Sequence, residues 1–221
     1  IREIKIDSDY IGSVLKDKIV IHLSDMHMSR FGKVENRVLQ IIDRVNPDLI
    51  FLTGDLVKWK GDIKPALQFL SLLKAKLGVF AVMGDYDYSD SKNSCLFCHD
   101  KGSGRPTKRH SVKMLRNSLL KIDIGEKAVR IAGIDDEYQE PKEFKKIYNM
   151  LDHDVPLFVL SHSPLAFDIF SDKNRVFIFS GDTHGGQVWA PSWVFKLLGY
   201  KKNVRYNHGF FQKGNKSMYV T

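Results

Sequence analysis

Two groups of residues in this chain have types and spacings that could do chemistry. The first is the stretch NSCLFCHDKG at 93–102, which holds both cysteines of the 221 residues. Cys95, Cys98 and His99 form the C-x-x-C-H spacing of a c-type haem attachment site. There the two sulfurs would make thioethers to the porphyrin and the imidazole would ligate the iron. The same spacing suits a short-loop disulfide, or a zinc half-site that would recruit a histidine such as His110. Covalent haem c is the expectation adopted, with His110, Met114, Met26, Met28 and His208 as candidates for the second axial position.

The second group is a set of acids and histidines that each follow an apolar run: Asp25 and His27, Asp55, Asp85 and Asp87, His162, and Asp182 with His184. Any one of them could be a capping aspartate or a surface histidine. Their common position matters more, because the carboxyl ends of neighbouring strands in an open α/β sheet form one rim where ligands bind. Oxygen and imidazole donors suit Zn, Fe or Mn, and a carboxylate shared between two ions builds a two-metal site.

Strand-like runs are predicted at residues 19–23, 49–52, 79–83, 129–134, 157–160 and 176–179. Between them, Val38, Ile41, Ile42 and Val45 mark one helical face, and Ala66, Leu67, Leu70, Leu73 and Leu77 another. This alternation is the pattern of an α/β domain. Residues 89–111, rich in Ser, Gly and Lys, interrupt it and read as an inserted loop carrying the haem motif. At 43% hydrophobic composition the chain can bury a full core, so residues 1–221 are expected to form one domain.

A formal charge of +8 favours anionic partners such as phosphorylated molecules or an anionic membrane surface, and no motif points to nucleic acid. No apolar run is long enough to cross a bilayer. The chain begins at Ile1, which leaves room for a targeting segment ahead of it. Haem attachment at C-x-x-C-H takes place outside the bacterial cytoplasmic membrane, so an exported, periplasmic or equivalent compartment is expected. The aromatic stretch at 188–200, with Trp189, Trp193 and Phe195, is read first as core or haem packing and second as a peripheral membrane contact.

The segments HLSDMH, NPDLIFLTGD, GVFAVMGDYDY, IAGIDD, LSHSP and GDTHGGQ, in this order, resemble the calcineurin-like metallophosphoesterases. The likeness is to the branch of UDP-diacylglucosamine pyrophosphohydrolases and similar membrane-associated phosphoesterases. It runs from about Val20 to the C-terminus, beyond whose last strand the family usually continues. The resemblance implies a four-layer α/β/β/α sandwich with a dinuclear metal centre of Fe, Mn or Zn at one rim. Carried over by position, Asp25, His27, Asp55 and His184 would hold the first ion. Asp55, Asp85, His162 and Asp182 would hold the second, and hydrolysis would proceed by in-line attack at phosphorus. Asp135 and Asp136 match a family segment without an assigned chemical role.

Two departures stand out. The family's Gly-Asn-His-Asp is here Gly84-Asp85-Tyr86-Asp87, and its Gly-His-x-His is Gly181-Asp182-Thr183-His184. Both changed ligand positions belong to the second metal, and both add a hard, negatively charged oxygen donor. Tyr86 stands where the family has a catalytic histidine, and a phenol near pKa ~10 is a poor proton donor or acceptor at neutral pH. By position in the family segment, Tyr86, in place of that histidine, and Asp87 are the catalytic candidates. With haem beside an altered site, the reading is a redox or electron-transfer protein with weak or lost hydrolysis and a redox partner protein. Its alternative is a metal-dependent phosphoesterase or pyrophosphohydrolase acting on a phosphorylated or lipid-linked substrate.

Overall fold

The computed structural model describes residues 2–6, 9–88, 95–99, 107–134, 155–183 and 205–221. The elements run α1 (Asp9–Leu15), β1 (Val20–Leu23), α2 (Lys33–Val45), β2 (Leu49–Thr53), α3 (Lys64–Leu72) and β3 (Gly78–Val82). They continue with β4 (Lys113–Met114), β5 (Ser118–Ile124), β6 (Lys127–Ile134) and β7 (Leu157–Ser161). After a 3₁₀ helix (Pro164–Asp168) come β8 (Val176–Ser180), β9 (Gly209–Lys213) and β10 (Lys216–Val220). All six apolar runs read from the sequence are strands, and both helical faces lie on helices, although Leu73 and Leu77 fall beyond the end of α3.

The strands form two sheets. One has the order β1-β2-β3-β4 and is parallel throughout; the other has the order β5-β6-β7-β8-β10-β9. In the second, β6, β7, β8 and β10 are parallel, with β5 and β9 antiparallel at the edges. The central strands β2, β7 and β8 are buried at every residue, which explains why they read as unbroken apolar runs. Edge strand β5 alternates between half-buried and exposed from Leu120 onward, and a two-residue turn with Gly125 at φ 64° leads it into β6.

Side-chain alternation along the strands then decides the layers. Leu49 and Phe51 of β2, with Phe80 and Val82 of β3, meet Ile131, Phe158, Leu160 and Phe179 of the other sheet. Phe51 sits at the middle of this contact, edge-on to Phe158 at 5.6 Å and to Phe179 at 5.0 Å between ring centroids. The alternate residues Ile50 and Leu52 face outward against Ile42 of α2 and Ala66 and Leu70 of α3. On the far side of the second sheet, Ala166 and Phe167 of the 3₁₀ helix cover Val159, Ile178 and Met218. Among the described residues no helix is long and apolar enough to cross a membrane.

One polar side chain is trapped between the sheets. His22 of β1 packs its ring on Phe179 and Tyr219, and its Nε2 lies 2.8 Å from Thr53 Oγ1. Its Nδ1 is buried and finds no partner among the described residues, although the residue as a whole keeps some exposed surface. Burial pushes its pKa down from 6.5 to about 3. Between those values the unfolded chain binds a proton that the folded chain refuses, so this group's contribution to stability falls as the pH drops through that window. Urea midpoints measured from pH 6.5 down toward 3 should therefore fall less steeply for His22→Leu than for the parent. Equal slopes would show that His22 titrates normally in the fold.

Candidate metal centre

The loops leaving β1, β2, β3, β7 and β8 meet at one rim, and main-chain hydrogen bonds tie them together. Asp25 N donates to Gly54 O at 3.0 Å, His27 N to Asp55 O at 2.9 Å, and Gly181 N to His162 O at 2.8 Å. Four candidate ligands adopt left-handed backbone: Asp25 (φ 52°), His27 (42°), Asp55 (53°) and Asp182 (71°). Each such residue costs about 1–3 kcal/mol and persists only where its surroundings enforce it. Two glycines make room for this convergence. A Cβ on Gly84 would overlap Asp55 Oδ1, and one on Gly181 would overlap Ser24 Oγ.

Asp55 is the hub. Its Oδ2 lies 3.6 Å from His27 Nε2 and 3.6 Å from His162 Nε2, while its Oδ1 accepts the Tyr86 N–H at 3.1 Å. Donor atoms of Asp25, Asp55 and His162 all lie within 4.8 Å of one another, close enough to share an ion. Asp182 Oδ1 is 3.9 Å from His162 Nε2, and the Asp182 N–H donates to both oxygens of Asp25, at 3.1 and 3.2 Å. Asp85 is exposed and close enough to Asp182 to act on its charge. The structure thus gathers Asp25, His27, Asp55, His162 and Asp182, with Asp85 at the edge; His184 lies outside the described residues.

The tautomer of His162 follows from its partner. Its Nδ1 is 2.7 Å from Thr53 O, and because a carbonyl only accepts, Nδ1 carries the proton and Nε2 is the atom turned toward the carboxylates. This is the backing that orients a metal-ligating imidazole, and nothing in the local sequence signals it. Burial opposes charge on His162, but the carboxylates of Asp55, Asp182 and Asp25 outweigh it and push its pKa up to about 9. Burial in turn raises Asp55 and Asp182 above the usual carboxylate range. A buried group of acids that can be quieted only by protons or by a cation, with one imidazole nitrogen aimed into it, fits a hard or borderline metal ion.

Tyr86 and Asp87 have different surroundings. The Tyr86 ring packs at 5.3 Å from His27 and 5.4 Å from Trp59, so it flanks the first-metal residues. Asp87 is fully buried, with Oδ1 accepting the N–H groups of Leu56 (2.9 Å) and Val57 (3.3 Å) and Oδ2 that of Gly84 (2.9 Å). Burial pushes its carboxyl up to about 7. With both oxygens occupied by main chain, it clamps the β2 and β3 loops and has no free atom for a substrate. Beside His27 a groove of about 640 Å³ mixes apolar Met26, Phe31 and Val34 with basic Arg30 and Lys33 and acidic Glu35.

The haem expectation requires correction. Cys95 and Cys98 are joined as a disulfide. Each sulfur is thereby committed to the other, whereas haem attachment would need both as thioethers. Covalent haem c with His99 as ligand is not supported, nor are the electron-transfer role and redox partner built on it; the short-loop disulfide is what the structure contains. His110 turns its Nε2 to Phe97 O at 3.1 Å. Asp135, Asp136 and the aromatic stretch at 188–200 lie outside the described residues, as do 89–94 and 100–106 of the expected insertion.

The chain is similar to several known proteins. The chain is 28% identical over 207 residues to the uncharacterized metallophosphoesterase YkoQ of Bacillus subtilis, covering 91% of this chain and 74% of that protein. It is 25% identical over 215 residues to the UDP-2,3-diacylglucosamine pyrophosphatase LpxG of Chlamydia trachomatis, covering 78% of this chain but only 65% of LpxG. The fold is similar to that of phosphopantetheinyl hydrolase (PptH) from Mycobacterium tuberculosis, with a TM-score of 0.51 at 11% identity over 92% of this chain and 89% of that one. The pattern of the calcineurin-like phosphoesterases matches residues 19–186, a span that starts before β1 and takes in every one of the strand-end acids and histidines, and the chain belongs to that family.

Proposed function

We propose that this protein is a metal-dependent hydrolase of a phosphoester or pyrophosphate in an amphiphilic, lipid-linked substrate. The observation that carries the reading is Asp55 Oδ2 standing 3.6 Å from both His27 and His162, the position of an oxygen shared between two ion sites. Asp25, His27 and Asp55, with His184, would hold one ion; Asp55, Asp85, His162 and Asp182 would hold the other. When bound, ions such as Fe, Mn or Zn supply Lewis acidity toward phosphoryl oxygens. The protein's own part is to hold the donors rigid, through the Thr53 carbonyl behind His162 and the Tyr86 N–H on Asp55.

The lipid-linked substrate is supported by two observations. LpxG, which shares 25% identity, is a pyrophosphatase of a diacylated nucleotide sugar by its name. The groove beside His27 offers cations for phosphate and apolar wall for a chain. The disulfide supports an exported, oxidising compartment, and a formal charge of +8 suits approach to an anionic membrane surface.

Two measurements test this reading. Manganese titrated calorimetrically into the parent should bind, and Asp55→Asn should weaken that binding by about 100-fold or more while circular dichroism stays native. Unchanged affinity would remove Asp55 from the centre. The second concerns Tyr86, whose phenol is a weak general acid. Turnover should therefore fall steeply as the leaving group becomes more basic, with pyrophosphates and aryl diesters cleaved and alkyl monoesters nearly inert. Tyr86→His, combined with Asp85→Asn and Asp182→His, should flatten that dependence and raise alkyl-ester turnover by about 10-fold or more. A parent already indifferent to the leaving group would show that Tyr86 limits nothing.

A further inference from the structure

The cysteine pair is the one chemistry-bearing motif that hydrolysis leaves unused. The turn that carries it is fastened directly onto the third-strand loop of the metal centre. Leu96 N donates to Asp87 O at 2.9 Å, Cys95 pairs with Tyr88 in an antiparallel bridge, and Cys98 Sγ lies 4.0 Å from Met83 Sδ. Thr107 N donates to Cys98 O at 3.1 Å, and the chain continues there into exposed Lys108 and Arg109. Phe97, between the two cysteines, is fully buried, and Cys95 is only 5% exposed. Cys98 is half-buried and followed by exposed His99, so a thiol arriving from solvent meets Cys98 first.

We propose that Cys95–Cys98 is a thiol–disulfide exchange site, opened and closed by a dithiol of the protein oxidoreductase class, and that opening it loosens residues 83–88. In the forward direction a thiolate of the incoming dithiol attacks Cys98 Sγ. The Cys95–Cys98 bond breaks, and Cys95 leaves as a thiolate that takes up a proton. The second thiol of the partner then attacks the mixed disulfide, and Cys98 departs and is protonated in turn. The protein disulfide has gained two electrons and two protons, and the partner has become a disulfide. The strap on Asp87 then rests on the Tyr88–Cys95 bridge, of which the Leu96 N–H to Asp87 O bond is part, without the covalent closure of the turn. Asp87 in turn holds the Leu56, Val57 and Gly84 amides, so the release reaches the loops of β2 and β3. This inference does not rest on hydrolysis or on bound metal.

The test uses the full chain and dithiothreitol as the probe. Native protein equilibrated across ratios of reduced to oxidised reagent, quenched by alkylation and weighed intact, should pass between zero and two modified cysteines without a stable single-thiol state, and should reverse. Hydrogen exchange of peptides spanning 53–58 and 83–88 should be about threefold or more faster in the reduced form, while far-ultraviolet circular dichroism remains native. Reduction only in denaturant, unchanged exchange in those peptides, a haem-sized mass on the cysteines, or zinc held by the reduced pair would each overturn the proposal. Single variants check which sulfur is attacked. Cys95→Ser should trap a mixed disulfide at Cys98 with an aromatic disulfide reagent, about tenfold or more faster than Cys98→Ser traps one at Cys95. The reverse order would place the attack on the wrong cysteine and sink the assignment.

Discussion

Carboxylate repulsion at the rim is the constraint on which the rest of the site depends. Asp25, Asp55 and Asp182 all act on one imidazole, with Asp85 just beyond. Like charges about 4 Å apart repel by about 4 kcal/mol at an effective dielectric near 20, so the cluster would push itself apart unless something held it. The holding is done by main chain. The amides of Tyr86 and Asp182 donate to Asp55 and Asp25, and the Thr53 carbonyl anchors His162. Left-handed backbone at four of the candidate ligands shows the strain that such convergence requires.

Asp85 and Asp182, which stand where the family segments carry Asn and His, sharpen this constraint. Asn and His at those positions would be neutral or cationic, so Asp85 and Asp182 add negative charge where it is already concentrated. The burial that raises Asp182 shows that this charge is not dispersed into water. A site of this composition needs more positive charge to settle it than its family pattern does, which favours ions of higher charge density over softer ones. Tyr86 adds to the same bias. It removes an ionisable imidazole and leaves a ring that packs against His27 and Trp59 among others.

Much of this was legible in the sequence, for a physical reason. Buried parallel strands must be apolar throughout, so β2, β7 and β8 announce themselves, and the ionisable residues after them fall on one rim because parallel strands end on the same side. Strands with mixed surroundings were harder. Edge strand β5 has no fully buried residue, β4 is two residues long, and α1 shows only a partial apolar face. The clamp formed by Asp87 was not legible, because two of its amide partners lie in another loop, 30 and 31 residues away, and carry no sequence signal. The cysteines failed for a related reason. Spacing places two sulfurs within reach of one porphyrin or of each other, and only the S–S bond in the structure separates the cases.

Asp87 is also where the cysteine turn meets the candidate metal centre. Its carboxylate gathers the amides of Leu56, Val57 and Gly84, while its own carbonyl accepts Leu96 from the cysteine turn. The loop that presents Asp85 and Tyr86 is therefore held on one side by the β2 loop and on the other by the disulfide turn. An uncharged carboxyl would not accept three amides so well, and burial already presses Asp87 toward the neutral form. The amides oppose that shift, and the compactness of the loops keeps the amides aimed. Whatever fixes the cysteine turn thus helps to fix the geometry of the third-strand loop, which makes the added cysteines part of the site's architecture although they lie outside its donor set.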